Sequence, residues 1–245
     1  MSGPASVRAD RLLANLGYGS RREVQGLMAT GAVTLDGARL HDPGRKLAAG
    51  PELAARMCVE GAPLDPPPPL NLMIHKPLGV VCSHHEPGRS LYELLPSRWR
   101  RRTPLLSTIG RLDLDTTGLL LLTDDGAFLH RVISPRRHVA KRYHVTLAGP
   151  LAGGEEDRFA AGDLMLEGDT APLAPARLEA LTPTTVWLTI TEGRYHQVRR
   201  MFAAVGARVT ALHRDRIGAL DLPGDLAPGR FRILSGAEQA ALFSA

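Results

Sequence analysis

Cysteine, long apolar runs and internal repeats are what this sequence lacks. Its 245 residues hold two cysteines, Cys58 and Cys82, each isolated, with no Cys-x-x-Cys pair and no nearby Cys/His ligand spacing. Neither a disulfide framework nor a structural zinc site is indicated, and no metal is expected. His84 and His85 adjoin Cys82, but solvated histidines of a loop account for them. No apolar run reaches the ~18 residues of a membrane span, so no membrane partner is expected. The opening MSGPASVRAD lacks the apolar stretch of a secretory signal, which makes the cytoplasm the expected location.

What is present is an excess of positive charge. The formal net charge is +5 and the pI about 9.7, a balance that favours polyanion partners. Its distribution is uneven. Arg98, Arg100, Arg101 and Arg102 surround Trp99, while Arg131, Arg136, Arg137, Lys141 and Arg142 form a second cluster. Each cluster reads either as a solvated face or as a site of phosphate contact. Apolar residues make up 44% of the chain, ample material for a core.

The stretch APLDPPPP at 62–69 marks a boundary, since consecutive prolines favour an extended, semi-rigid spacer. The chain thus reads as a small module over 1–61, a linker over 62–69 and a larger domain over 70–245. In the module, VRADRLLANLG has helical periodicity and stops at Gly17. Ser20 is placed to cap a second helix, SRREVQGLMATG, ending near Gly31. AVTLDGARL then reads as a hairpin turning at Asp36-Gly37. Arg21 and Arg22 fall in the first turn of the second helix and give the module a basic surface. The succession R-x-D-R-L-L, G-x-x-S-R-R-E, G-A-V-T-L-D-G resembles an S4 RNA-binding domain, with Ala9 and Arg11 departing from the commoner opening of that domain.

In the larger domain strand-like runs lie at 70–83, 118–123, 143–148, 177–181, 186–191, 208–212 and 230–234, against helical patterns at 155–161, 196–205 and 237–243. Strands outnumber helices without βαβ alternation. That argues for an α+β domain with a mostly antiparallel mixed sheet and flanking helices.

Two stretches carry chemistry. GRLDLDTTGLLLLTDDG, 110–126, sets Arg111, Asp113 and Asp115 just ahead of an apolar run suited to a buried strand. On physical grounds this is a carboxylate beside an arginine at the mouth of a sheet, and a salt-bridged turn would look the same. EGRYHQVRRM, 192–201, presents Arg194, His196, Arg199 and Arg200 at a strand-to-helix junction, a place that holds anions.

Together with KPLGVVCS, SPRRHVAKRYHVTL and the ending LHRDRIGALDLPGDLAPGRFRIL, these stretches resemble the pseudouridine synthase family, in the S4-bearing branch that acts on ribosomal RNA. The YHQV form and the LHRxRIG ending are most similar to the enzymes of small-subunit (16S) rRNA; relatives acting on 23S rRNA or tRNA are the alternative. The resemblance implies that Asp113 is the catalytic carboxylate, that Tyr143 packs against the target base, and that Arg199 pairs with Asp113. It also implies that Arg111 helps displace the base. Arg21, Arg22, Arg194 and Arg200 are expected on the RNA.

Such a reaction breaks the N1–C1′ bond, turns the uracil and joins its C5 to C1′. The base must leave the stack, at roughly a few kcal/mol, and an aromatic platform returns about 1–3 kcal/mol. Whether Asp113 attacks C1′ or takes a sugar proton stays open. An isomerisation needs no cofactor, and none is expected. Ribosomal RNA within a pre-ribosomal particle is the expected partner and a monomer the expected state. Two rivals compete with this reading. One is a non-catalytic S4-type assembly factor. The other is a nucleoside or glycoside hydrolase using Asp113 and Asp115 as paired carboxylates.

Overall fold

The computed structural model of the protein describes residues 6–244. Two compact units emerge, one taking residues up to Asn71 with Leu95–Ser107 and Thr123–Gly126, the other Leu72–Leu94, Thr108–Leu122 and the chain from Ala127 onward.

The first unit holds β1 (Ser6–Arg8), α1 (Ala9–Asn15), α2 (Arg21–Ala29), β2 (Val33–Leu35), β3 (Ala38–Arg39), β4 (Lys46–Ala48), α3 (Pro51–Arg56), β5 (Met57–Val59) and β6 (Ala62–Pro63). Ser20 caps α2 as expected. Its hydroxyl accepts the Glu23 N–H at 3.3 Å while the Glu23 carboxylate accepts the Ser20 N–H at 2.7 Å, a reciprocal box that satisfies two otherwise free helix donors. Asp36 and Gly37, at φ +52° and +79°, turn β2 into β3, the geometry that an Asp-Gly hairpin requires. Leu13, Leu16, Val24, Met28, Val33 and Met57 fill the core between the helices and a sheet of order β3-β2-β5-β6. Asp10 is buried among Arg8, Arg21 and Gln25, and the Arg8 guanidinium above all holds its carboxyl well below the usual range.

Residues 62–69 are not a free spacer. Ala62–Pro63 pair with β5, Leu64 is buried in the core, and Asp65 receives Arg98 Nε at 2.6 Å. The arginine run that follows the second boundary is likewise committed in part. Arg98 also lies 4.1 Å from the Tyr18 ring centre, Trp99 is buried, and Arg102 is 1% exposed against Asp124. Of this run, Arg100 and Arg101 are the arginines left exposed.

The second unit is built on β7 (Asn71–Lys76), β8 (Ser107–Ile109), β9 (Thr116–Thr123), α4 (Gly126–Ile133), β10 (Lys141–Leu147), α5 (Glu155–Ala160), β11 (Arg177–Thr182), β12 (Thr185–Ile190), α6 (Gln197–Ala204), β13 (Val209–Ile217), β14 (Leu220–Asp221), β15 (Phe231–Ile233) and α7 (Gly236–Ala241). Its sheet runs β11-β12-β10-β13-β9-β7-β15, with β14 on β13 and β8 on β9. β10 pairs antiparallel with both β12 and β13, while β13 and β9 run parallel, so the sheet is mixed. Met73, Leu119 and Leu121 pack against Phe128 and Val132 of α4 and Leu242 beyond α7. Helix α4 was absent from the sequence expectation, although Phe128 and Val132 stand at the i, i+4 spacing of one helix face. Gly118 permits the close pairing of β9 with β13: at φ +114°, a Cβ there would lie 2.1 Å from the Arg214 carbonyl oxygen. No helix among the described residues is long and apolar enough to cross a membrane.

Candidate active site

A cavity of about 890 Å³ opens in the second unit, its lining shared by Asp113, Tyr143, Lys141, His196, Arg199 and Arg214 among others. That size suits a single small ligand or one extruded nucleotide. Each element contributes at a strand end or junction, where rigid scaffold meets solvent.

The Asp113 loop is held by Lys76, a residue given no role by the sequence reading. This lysine is fully buried at the end of β7 and donates to the carbonyls of Thr116 at 2.8 Å, Pro77 at 3.2 Å and Leu114 at 3.5 Å. Burial lowers its pKa, and the nearby Cys82, Asp113 and Asp115 push the other way. Gly79 N–H adds a bond to the Leu114 carbonyl at 2.9 Å, and the Cys82 thiol donates to the Leu112 carbonyl at 3.3 Å. The Lys-Pro-Leu-Gly stretch therefore staples the loop that carries the acid. Only a contact 40 positions apart reveals it.

The expected Arg199–Asp113 pair is corrected. Asp113 Oδ1 faces His196 Nε2 at 3.3 Å, whereas Arg199 Nη2 reaches Asp115, at 2.8 Å to its carboxylate and 3.3 Å to its carbonyl. The geometry explains the exchange. His196 caps α6 in the left-handed conformation and Arg199 lies in the first turn of that helix; Asp113 and Asp115 flank Leu114 in a turn closed by the Thr116 N–H on the Asp113 carbonyl at 3.0 Å, so each basic group meets one carboxylate. Asp115 is 62% exposed on its side chain and is not among the cavity-lining residues. A paired-carboxylate hydrolase thus lacks its second acid in the cavity.

The junction before α6 owes its form to Gln197. Buried, it accepts the Arg194 N–H at 2.7 Å and donates to Glu192 at 3.0 Å, fixing the turn that presents His196 at φ +48° with Tyr195 stacked 3.9 Å away. Arg194 and Arg200, expected on the RNA, are instead bound to the protein. Arg194 donates to Asp169 at 2.7 Å and to the carbonyls of Ala171 and Pro172; Arg200 donates to Asp169 and to the Glu167 carbonyl, both at 2.6 Å. They clamp the 167–172 loop. Arg111 lines the cavity with its side chain 62% exposed, paired with Glu86 at 2.6 Å.

Tyr143 is buried in β10, and its hydroxyl accepts from Arg214 Nη1 at 3.3 Å. Lys141, two residues earlier on the same face, donates to the Val139 carbonyl at 2.9 Å; burial, together with the charge of Arg214, lowers its pKa to about 8. That shift has a sign that can be measured. Below pH 8 the folded and unfolded forms are both protonated, and the folded form carries the full penalty of the buried charge. Between about pH 8 and 10.5 the folded form releases its proton first and the penalty fades. Lys141→Met should therefore raise unfolding stability at pH 7 by up to about 3 kcal/mol, at 1.36 kcal/mol per pKa unit. The gain should vanish near pH 10.5, as read by urea denaturation across that range. A gain that does not depend on pH would contradict this origin.

No group of three His, Cys, Asp or Glu residues able to hold a metal occurs among the described residues. The mixed sheet, the acidic loop at the head of β9 and the basic junction before α6 form one site, and comparison with known proteins places it. Residues 71–204 match the RNA pseudouridylate synthase family and residues 7–53 the S4 domain. The chain belongs to the RNA pseudouridylate synthase family. It is 44% identical over 241 residues to ribosomal small subunit pseudouridine synthase A of Escherichia coli (strain K12), covering 96% of this chain and 100% of that protein. The protein of the same name from Vibrio cholerae is 41% identical over 239 residues, covering 97% and 100%. A crystal structure of a pseudouridylate synthase superposes with a TM-score of 0.67 at 36% identity, covering 97% of this chain and 100% of that one.

Proposed function

We propose that this protein isomerises one uridine of small-subunit ribosomal RNA to pseudouridine, with Asp113 as the catalytic carboxylate. The observation that carries the reading is that Asp113 and Tyr143 line one cavity of about 890 Å³. The flipped uracil lies against Tyr143, and Asp113 acts on the ribose at the glycosidic carbon or its neighbouring proton. His196 holds the carboxylate, and Arg199 fixes the loop through Asp115, two residues away. At the rim, Arg111 exchanges Glu86 for RNA as the base leaves the stack. The exposed Arg22 and the half-exposed Arg21 on α2 offer phosphate contacts on the S4 domain. The protein works as a monomer, in the cytoplasm, on an RNA already partly covered by ribosomal proteins.

The choice of substrate is tested with purified protein and separate small-subunit and large-subunit rRNA transcripts, each naked or in reconstituted particles. Pseudouridine is expected in the small-subunit RNA alone, and faster in the particle. Modification of the large-subunit RNA would move the protein to the other branch, and equal rates on naked RNA would remove the particle from the account.

A further inference from the structure

Two cations in the cavity wall form no salt bridge among the described residues, although Glu192, in the same wall, partly offsets the charge on Lys141. Arg214 is 3% exposed; its Nε donates to the Leu119 carbonyl at 2.9 Å and its Nη1 to the Tyr143 hydroxyl, while its Nη2 has no hydrogen-bond partner. Lys141 spends its ammonium on a neutral carbonyl. Among the described residues neither forms a salt bridge. The β10–β13 ladder sets them side by side, since Tyr143 is opposite Arg214 and Lys141 precedes Tyr143 by two on the same face. Burying two like charges with no carboxylate in contact is unfavourable. An apolar pair would pack the same wall better.

We propose that Arg214, supported by Lys141, is the electrostatic acceptor of the negative charge that develops on uracil when the glycosidic bond breaks. The inference rests on the reading of this cavity as the active site. The chemistry requires such a group. When N1–C1′ breaks heterolytically, the bonding pair stays on N1 and spreads onto O2 and O4, leaving a uracil anion. C1′ is taken up by the Asp113 carboxylate or closes to an alkene by loss of a sugar proton. The pair then returns from C5 to C1′, releasing the Asp113 carboxylate or, on the alkene route, with the sugar proton given back to the ribose; the C5 proton departs and N1 gains a proton, so the sum is an isomerisation. A base lying on Tyr143 places this anion against the wall that holds both charges. Fixed charge at a developing anion, with no reorganisation needed at the moment of reaction, is where an enzyme gains most.

The test is single-turnover kinetics on an RNA carrying either uridine or 5-fluorouridine at the target; the latter has no C5 proton to lose, so its product is followed as the C5-linked fluorinated isomer or its hydrate by nuclease digestion and mass spectrometry. Arg214→Gln should lower the rate constant about hundredfold while the RNA Kd stays within about threefold and the melting temperature holds. Arg214→Lys should recover about tenfold of that loss, because charge survives without the planar fork. Fluorine withdraws electrons and steadies the anion unaided, so the Arg214→Gln loss should shrink at least fivefold on 5-fluorouridine RNA. A merely structural role would not distinguish the two bases.

Three results would overturn the proposal. If the loss falls on Kd and on the salt slope, equally for both bases, the wall holds a backbone phosphate. If Tyr143→Phe loses as much as Arg214→Gln and the double variant loses no more, Arg214 only positions the ring. If Arg214→Gln is fully active while Asp113→Asn is inactive, the charged wall has no role; an active Asp113→Asn protein would instead remove the site itself. Should Arg214→Gln fail to fold, Lys141→Met carries the same comparison of bases, with about a tenfold loss expected on uridine and less on 5-fluorouridine.

Discussion

Asp113→Asn should bind RNA as tightly as the unaltered protein and isomerise it about 10⁴-fold more slowly or not at all. The replacement has almost the same shape and remains able to bond His196, so the loop held by Lys76, Gly79 and Cys82 should persist. What disappears is the charge that acts on the ribose, an interaction needed only on the way to the transition state. Losses of that kind fall on the rate constant and not on binding. Single-turnover rates and filter-binding Kd values, measured on the same preparation, separate the two. A Kd weakened in proportion to the rate would mean that Asp113 is a binding residue. The parallel change Asp115→Asn should be far milder, because that side chain faces solvent and engages only Arg199.

The second large effect concerns stability. Asp124 has its side chain 1% exposed, receives Arg102 at 3.0 Å on one oxygen and accepts the Leu70 N–H at 2.7 Å on the other. Removing one member of a buried pair leaves the other charge stranded, typically at about 3–5 kcal/mol. Here the stranded group would be Arg102, whose Nε and Nη1 already lack partners, with Leu70 losing its acceptor as well. Asp124→Ala should thus destabilise the first unit by about 3–5 kcal/mol in chemical denaturation. The double change Arg102→Met with Asp124→Leu should restore most of the loss, since no unpaired charge then remains. A cost below about 1 kcal/mol for Asp124→Ala would mean that water reaches the pair and that it behaves as a surface bridge.

Both effects depend on contacts that the sequence conceals, and that marks where reading it succeeds. The Asp36-Gly37 hairpin and the Ser20 cap were legible because their causes are local: positive φ at two adjacent residues, and an oxygen three positions from the N–H it accepts. The β-strands bearing Tyr143 and Leu119 were legible by their apolar pattern. Asp113 was singled out by family resemblance, and the partner that the resemblance gave it, Arg199, lies on Asp115 instead. Nothing local tells Arg199 from His196 as the neighbour of Asp113, because both sit at the start of α6, one capping it and one in its first turn, and the loop offers two carboxylates. Charge clusters misled for a related reason. An arginine in a basic run looks solvated until its distant partner is known, and Arg98, Arg102, Arg194 and Arg200 each find one at Asp65, Asp124 or Asp169. Lys76 and Arg214, buried with no salt bridge among the described residues, depend still more on the fold: they bond backbone carbonyls 40 and 95 positions away.

The central claim is that Asp113 makes pseudouridine in small-subunit ribosomal RNA, and pseudouridine mapping of total rRNA tests it directly. Cells lacking the gene would be complemented with the unaltered protein or with Asp113→Asn. The account predicts that one pseudouridine of 16S rRNA disappears on deletion and returns only with the unaltered protein. Restoration by Asp113→Asn, or a complete map that deletion leaves unchanged, would contradict it and favour an assembly role for the S4-bearing chain.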